Sequence, residues 1–375
     1  MMKVFGVLWY SQVVRSHFNN LKNWITKHER KLSSFALFAG FVFDAFTMQR
    51  IDNLYTNSVF SFYFLLLGFS IILINYIEAG KYEREWVGRM HPFLLILTQF
   101  AFGGLFSDFL IFYFRSGSLL SSWPFLAVLI ILLIGNEYLR KQYERLIFQV
   151  SSLFVALFFF AIFIVPVVLR QMGPFIFILS GVIALGLVAG FIYLLGRLVP
   201  ERVQQSKRLL ICSITFLFLF INVLYFTNLI PPIPLSLKQT GVYHSIQHVG
   251  GDYVVKEEKH SFLSAFEVFE DIHIKKGEPV YVYSAVFAPT DINVTVVHNW
   301  LHFDSKIERW VSVSRIPYTV IGGTDRGYRG YTQKTNLEEG KWRVNIETDR
   351  GQIMGRAAFE VVYDDQPAEM LEKVL

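Results

Sequence analysis

The sequence predicts an α-helical multi-span membrane domain of about seven transmembrane helices, followed by a C-terminal all-β antiparallel sandwich. Three observations predict it. Seven apolar runs approach the roughly 20 residues needed to cross about 30 Å of hydrocarbon. Positive charge gathers in alternate loops between those runs. After a proline-rich stretch the hydrophobic period changes from 3.6 to 2. Composition agrees: 53% of the 375 residues are hydrophobic and mean hydropathy is +0.41, above the roughly 45–50% apolar content of soluble domains.

The net charge of +5 conceals a division. Residues 1–237 hold 19 Lys/Arg against 10 Asp/Glu, and residues 238–375 hold 16 against 20. A nucleic-acid-binding protein would carry its basic excess on the soluble part, so that class is excluded. The single cysteine, Cys212, lies in an apolar run. It excludes an intrachain disulfide and a cysteine metal site, and the β domain must hold together by packing.

Residues 1–31 form an N-terminal segment in which Val4, Val7, Leu8, Val14, Phe18, Leu21 and Ile25 recur at helical spacing between basic residues. That pattern predicts an amphipathic helix on the inner leaflet. The apolar runs are 32–49, 58–77, 92–114, 118–136, 147–169, 174–196 and 209–230, which together make a membrane domain of 32–230. The N-terminal segment and the even loops carry 16 positive residues, including Lys81, Arg84, Arg140, Lys141, Arg202 and Lys207. The other loops carry Arg50, Arg115 and Arg170. The basic side is cytoplasmic by the positive-inside rule, and an odd number of spans places the C-terminal domain outside. The expected location is a bacterial inner membrane, with a cytoplasmic N-terminus and a periplasmic C-terminal domain.

Pro231-Pro232-Ile233-Pro234 ends the seventh run and opens a linker over 231–240, because proline cannot continue a helix. Residues 241–375 read as the sandwich. Trp342, Val344 and Ile346 alternate with Arg343, Asn345 and Glu347; after Asp349-Arg350-Gly351, Phe359, Val361 and Tyr363 alternate again. Such alternation marks strands with one wet face. In the sixth run, Gly186-x-x-x-Gly190 predicts close helix packing.

The motifs Val297-His298-Asn299-Trp300, Gly340-Lys341-Trp342-Arg343-Val344, and Gly351 and Gly355 leading to Phe359-Glu360-Val361 occur in that order. Over roughly 280–363 the chain resembles a bacterial family, domain-of-unknown-function family 2914. The resemblance implies the architecture and leaves the function open.

Two groups of residues are candidates for function. Asp44, Asp52 and Asp108 fall near the outer ends of the first and third runs, close in sequence to Arg50 and Arg115. Charged groups in a bilayer are expensive and face a protein interior or a cavity. They form either a polar pocket open to the outside or a set of Asp–Arg pairs that lock helices. In the β domain, Gly322 to Tyr331 brings together Arg326, Tyr328, Arg329 and Tyr331. Arginine forks onto carboxylate or phosphate and tyrosine stacks on sugars; the alternative is a long hairpin loop with solvated arginines. Trp300 joins these as a candidate ligand-binding residue, although its place in an apolar stripe reads as a core cap. No catalytic set, metal site or cofactor site is expected. His244-x-x-x-His248 reads as a surface feature.

The functional expectation is a non-enzymatic envelope protein whose exported sandwich binds a glycan, a lipid headgroup or a protein partner, with membrane lipid around its helices. The alternatives are a transporter or lipid-translocating protein that uses Asp44 and Asp108, and a membrane-embedded transferase.

Overall fold

The computed structural model describes residues 41, 42, 44, 46, 53–82, 84–116, 119–138, 142, 145–259, 269–289, 292–323, 327–364 and 369–375, and of 115, 119–122 and 136–138 the backbone alone. Seven helices precede eleven strands. The helices are α1 (Leu54–Glu78), α2 (Glu85–Arg89), α3 (His91–Ser116), α4 (Leu119–Tyr138), α5 (Leu146–Leu169), α6 (Pro174–Leu198) and α7 (Pro200–Phe226). Among the described residues, five of them, α1, α3, α5, α6 and α7, are long and apolar enough to cross a membrane. They correspond to the expected runs 58–77, 92–114, 147–169, 174–196 and 209–230. The run 32–49 and the amphipathic pattern of 4–25 lie outside the described residues, apart from Phe41, Val42, Asp44 and Phe46. Among the described side chains, α4 is apolar over Trp123–Gly135.

Local chemistry sets the helix ends. The Asn53 side chain accepts from the Tyr55 N–H at 3.2 Å, and Pro174 and Pro200 open α6 and α7, where proline loses no hydrogen bond. Arg170 and Asn228 end α5 and α7 in the left-handed region, at φ 56° and 57°, the conformation that turns a chain out of a helix.

In lipid, helices associate by close packing rather than by expelling water from apolar surface. The interior of the bundle is accordingly an aromatic ladder. Phe60 stacks on Phe109 at 5.4 Å, Phe109 on Phe163 at 6.2 Å, and Tyr113 meets Phe125 at 4.6 Å. Phe62, Leu65, Phe175 and Phe216 point outward and are exposed. The close-approach glycines are Gly104 and Gly181. A Cβ on Gly181 would sit 2.7 Å from Phe158 and 2.8 Å from Phe218. Gly186 and Gly190 meet nothing within 4 Å, so the expected close packing at that pair is corrected. At the end remote from the strands, Glu78 pairs with Arg202 and with His91 (3.0 Å), joining α1, α7 and α3.

The strands are β1 (Ser236–Tyr243), β2 (Ser245–Val249), β3 (Asp252–Glu258), β4 (Glu270–Ile274), β5 (Val280–Phe287), β6 (Asn293–Asp304), β7 (Arg309–Ile321), β8 (Tyr328–Lys334), β9 (Gly340–Thr348), β10 (Ile353–Tyr363) and β11 (Met370–Val374). They form three sheets, ordered β1-β5-β8, β4-β10-β9-β6-β7 and β11-β3-β2. The expected all-antiparallel arrangement is corrected on one point: β4 runs parallel to β10, so the five-stranded sheet is mixed. The reason is topological. β4 and β10 are far apart in sequence, and nothing constrains their relative direction as a hairpin turn constrains neighbours.

Trp300, Trp342, Val344 and Phe359 of the five-stranded sheet share a buried core with Val242, Val280 and Val282 of the β1-β5-β8 sheet. The other face of that sheet packs Tyr243, Tyr283 and Ala285 against Ile246 and Val255 of the third. A polar chain crosses the first interface. Ser284 Oγ meets His298 Nε2 at 2.8 Å and Tyr318 Oη at 2.6 Å; Thr332 Oγ1 meets His298 Nδ1 at 2.9 Å and accepts from Trp300 Nε1 at 3.1 Å. His298 is fully buried, and burial holds its pKa down at about 4. On the third sheet Glu258 takes bonds from His244 at 2.8 Å and from the His273 ring at 2.8 Å. Burial pushes its carboxyl up, but these bonds outweigh burial and hold it at about 2.

The β region therefore has a defined acid dependence. The folded pKa of His298 lies below its unfolded value, so its contribution is complete above pH ~6.5 and is lost as pH falls toward 4. Glu258 loses its share only below about 4.5. His273, raised chiefly by its bond to Glu258, acts with the opposite sign and only above about 6.5. We expect stability to fall by about 3 kcal/mol between pH 7 and 4, measured by denaturant unfolding followed in the near-ultraviolet. A flat profile over that range contradicts a neutral, buried His298.

Candidate functional site

The last helix and the β region meet in a seam, and the residues that build it follow from how the chain leaves α7. Asn228 turns the backbone away, and Pro231 and Pro232 keep it from resuming a helix before β1 begins at Ser236. From above, the β9–β10 turn reaches back to this point, with Gly351 at φ 82° closing it. Asn228 Nδ2 donates to the Arg350 carbonyl at 3.1 Å, and Gln352 Nε2 donates to the Ile230 carbonyl at 3.2 Å. The Arg350 guanidinium lies 4.5 Å from the Tyr225 ring centre and 5.6 Å from that of Phe226. Met172, in the α5–α6 turn, packs on the apolar cluster of Leu235, Val286 and Val296.

The seam encloses a cavity of about 310 Å³. Its two walls differ in chemistry. Ile162, Pro166, Ile176 and Phe177 come from α5 and α6; Asn293, Thr295, Thr348, Arg350 and Gln352 come from the β region. Two buried polar atoms of the seam have no hydrogen-bond partner, Arg350 Nη1 and Asn228 Oδ1. One is a cationic donor and the other an acceptor. None of Arg350, Gln352, Asn228 and Met172 stood out in the sequence. The only signal there was the turn Asp349-Arg350-Gly351, which reads as an ordinary hairpin.

The expected membrane cluster is partly described. Ser107 Oγ donates to Asp44 Oδ2 at 3.0 Å. Asp108 is fully buried, and among the described residues neither carboxyl oxygen has a hydrogen-bond partner. Gly104 lies one turn earlier on the same face of α3, and a Cβ there would be 2.6 Å from the Tyr63 ring. Asp44, Ser107 and Asp108 thus share one level of the bundle. Arg50, Asp52 and the side chain of Arg115 lie outside the described residues.

The expected loop site divides. Arg326 lies outside the described residues. Arg329 is committed to the Gly251 carbonyl (2.9 Å), the Leu375 carbonyl (3.0 Å) and Asp252 (3.4 Å). Tyr328 packs on the apolar cluster beside the seam. Tyr331 is exposed, 6.1 Å from both Tyr253 and Tyr281. Trp300 is fully buried against Phe359, which leaves no face of its ring open to solvent. His244 and His248 stand at a strand's edge and within a strand, not on one helical face.

Residues 293–361, from β6 to β10, match the family described as Protein of unknown function (DUF2914), in agreement with the motifs of the C-terminal region. No curated protein matches the chain. Among solved structures, a β-glucosidase from Listeria innocua in complex with glucose is 12% identical with a TM-score of 0.19, covering 29% of this chain and 16% of its own. The Pseudomonas fluorescens alkylpurine DNA glycosylase AlkC, bound to DNA containing an abasic site analog, is 10% identical with a TM-score of 0.20, covering 72% and 81%. The chain thus spans about a sixth of the length of the β-glucosidase.

A buried carboxyl without a partner destabilises the structure that contains it. We expect Asp108→Leu to raise the thermal stability of the purified protein, by roughly 1–3 kcal/mol. A loss of similar size would make Asp108 part of a helix lock.

Proposed function

We propose that this chain is an integral membrane protein that binds an amphiphile, a membrane lipid or a lipid-linked molecule, at the seam between its helices and its β region. It is a binding protein in this reading, and the β region is a recognition module seated on the outer membrane surface. The observation that carries the reading is the seam cavity, one wall apolar and built from α5 and α6, the other polar and built from β6, β9 and the β9–β10 turn. An amphiphile matches both walls at once. A free glycan or a soluble protein would leave the apolar wall unused.

Charge supports an orientation: 16 of the 19 positive residues of 1–237 fall in the N-terminal segment and the even loops of the sequence, and by the positive-inside rule this puts those loops in the cytoplasm and the β region in the periplasm. The packing of two sheets over a common core supports a sandwich-like recognition module, with the third sheet outside it.

A second reading, transport through the bundle, is favoured by Asp108. A fully buried, unpartnered carboxyl among membrane helices is retained for function more readily than for stability. The seam reading comes first because it joins both parts of the chain.

Photolabelling tests it. A lipid carrying a photoreactive group near its head, in nanodiscs, is expected to label peptides containing 293–295 or 348–352. Thr295→Trp, which fills the cavity, should reduce that labelling several-fold without changing the unfolding midpoint. Labelling confined to the exposed faces of the helices contradicts the reading.

A further inference from the structure

We infer that the seam selects a lipid whose head is a net-anionic phosphate-type group, the anion facing Arg350. This rests on the seam reading above and names its ligand class.

The charged residues lining the cavity are Asp349 and Arg350. Asp349 is exposed at the turn, and its carbonyl accepts from Arg315 at 3.3 Å. Arg315 is itself held by Glu347 at 3.1 Å. Among the described residues, no carboxylate lies within ion-pair distance of Arg350. Its guanidinium instead covers the Tyr225 ring, and that ring stacks on Phe177 at 3.7 Å. Stacking satisfies the face of the guanidinium and one of its N–H groups bonds the Tyr225 hydroxyl, while an N–H left over can meet a planar or tetrahedral oxyanion. Nη1 is buried and unpartnered, so one such donor is held ready in a fixed direction.

Asn228 holds the turn that carries the cation: its amide N–H₂ donates to the Arg350 carbonyl. Among the described residues, the one cation that lines the cavity is thus Arg350, and it calls for a head that brings net negative charge. A choline head carries its own cation beside the phosphate, and a diacylglycerol has no anion.

The volume supports a headgroup rather than a whole lipid. About 310 Å³ is at the lower end of small-molecule pockets, and of the two helices that build the apolar wall, α6 turns Phe175, Ile178, Val182 and Leu187 outward. The acyl chains would follow that surface into the bilayer.

The test is native mass spectrometry of the full chain released from nanodiscs of phosphatidylglycerol, phosphatidylcholine or diacylglycerol in a neutral carrier lipid. Wild type is expected to retain phosphatidylglycerol over phosphatidylcholine and diacylglycerol. Arg350→Gln should lower that retention about tenfold, as expected for a charge-assisted hydrogen bond, and Arg350→Lys should keep part of it. Asn228→Asp, which sets a negative charge beside Arg350, should also lower it. If all three lipids are retained alike and Thr295→Trp abolishes them alike, the headgroup inference is overturned and the seam reading stands. If neither Thr295→Trp nor Arg350→Gln changes the retention of any lipid, both fail. If millimolar inorganic phosphate displaces the lipid from wild type but not from Arg350→Gln, the anion site holds and its source is free phosphate, which overturns the lipid assignment.

Discussion

A helix that leaves a bilayer must find partners for its last carbonyls while its neighbours are still in lipid, where an unmet backbone group costs several kcal/mol. In this protein the answer to that constraint organises everything above the helices. Asn228 turns the chain out of α7, the amides of Leu229 and Ile230 bond back to the Leu224 carbonyl, and the Ile230 carbonyl is met by Gln352 from the β9–β10 turn. The β region is therefore fastened to the end of the helix and does not merely follow it in sequence. The cavity between them exists because two differently built surfaces, one apolar and one polar, are held at a short distance without interpenetrating.

Each side of the seam is stiffened by its own means. Below, aromatic rings packed around Phe109 and Phe163 give the helices close contact without polar groups, which is what association in lipid requires. Above, the line of Ser284, His298, Thr332 and Tyr318 crosses between two sheets. Every member of that line is hydrogen-bonded, so burial of a polar chain there fixes register. The exception is Asp108, whose carboxyl has neither exposure nor, among the described residues, a partner. It is the point where the bundle departs from its own packing rules, and such departures collect at functional positions.

Much of this was legible in the sequence, and the rest was hidden for identifiable reasons. The long helices could be read from apolar runs because a span has one requirement, length. The β9–β10 hairpin could be read from the alternation of Trp342, Val344 and Ile346 and from the turn at Gly351. The parallel β4–β10 pair could not, since pairing between strands about 90 residues apart leaves no local pattern (Glu270 opposite Phe359). The expected Gly186–Gly190 contact failed because that motif records small residues and not which face of α6 meets a neighbour; Gly181 does so instead. The loop arginines were read as free to bind, but Arg329 is committed to the chain's last residue and to the β2–β3 turn. Arg350 carried only the signal of an ordinary hairpin turn. Its place over Tyr225 depends on a contact across 125 positions of sequence.

The central claim is that the β region sits rigidly on the helix ends and does not swing on its proline linker. Spin labels at two exposed positions, Leu187 in α6 and Val313 in β7, placed in a Cys212→Ser background, measure this directly by pulsed electron–electron distance spectroscopy in nanodiscs. A rigid seat predicts a single narrow distance distribution, no wider than the labels' own rotamers. That distribution should broaden when Gln352→Ala and Asn228→Ala remove the bonds across the seam. A broad, multi-peaked distribution in the otherwise unaltered protein would mean that the β region is tethered rather than seated, and the account would not stand.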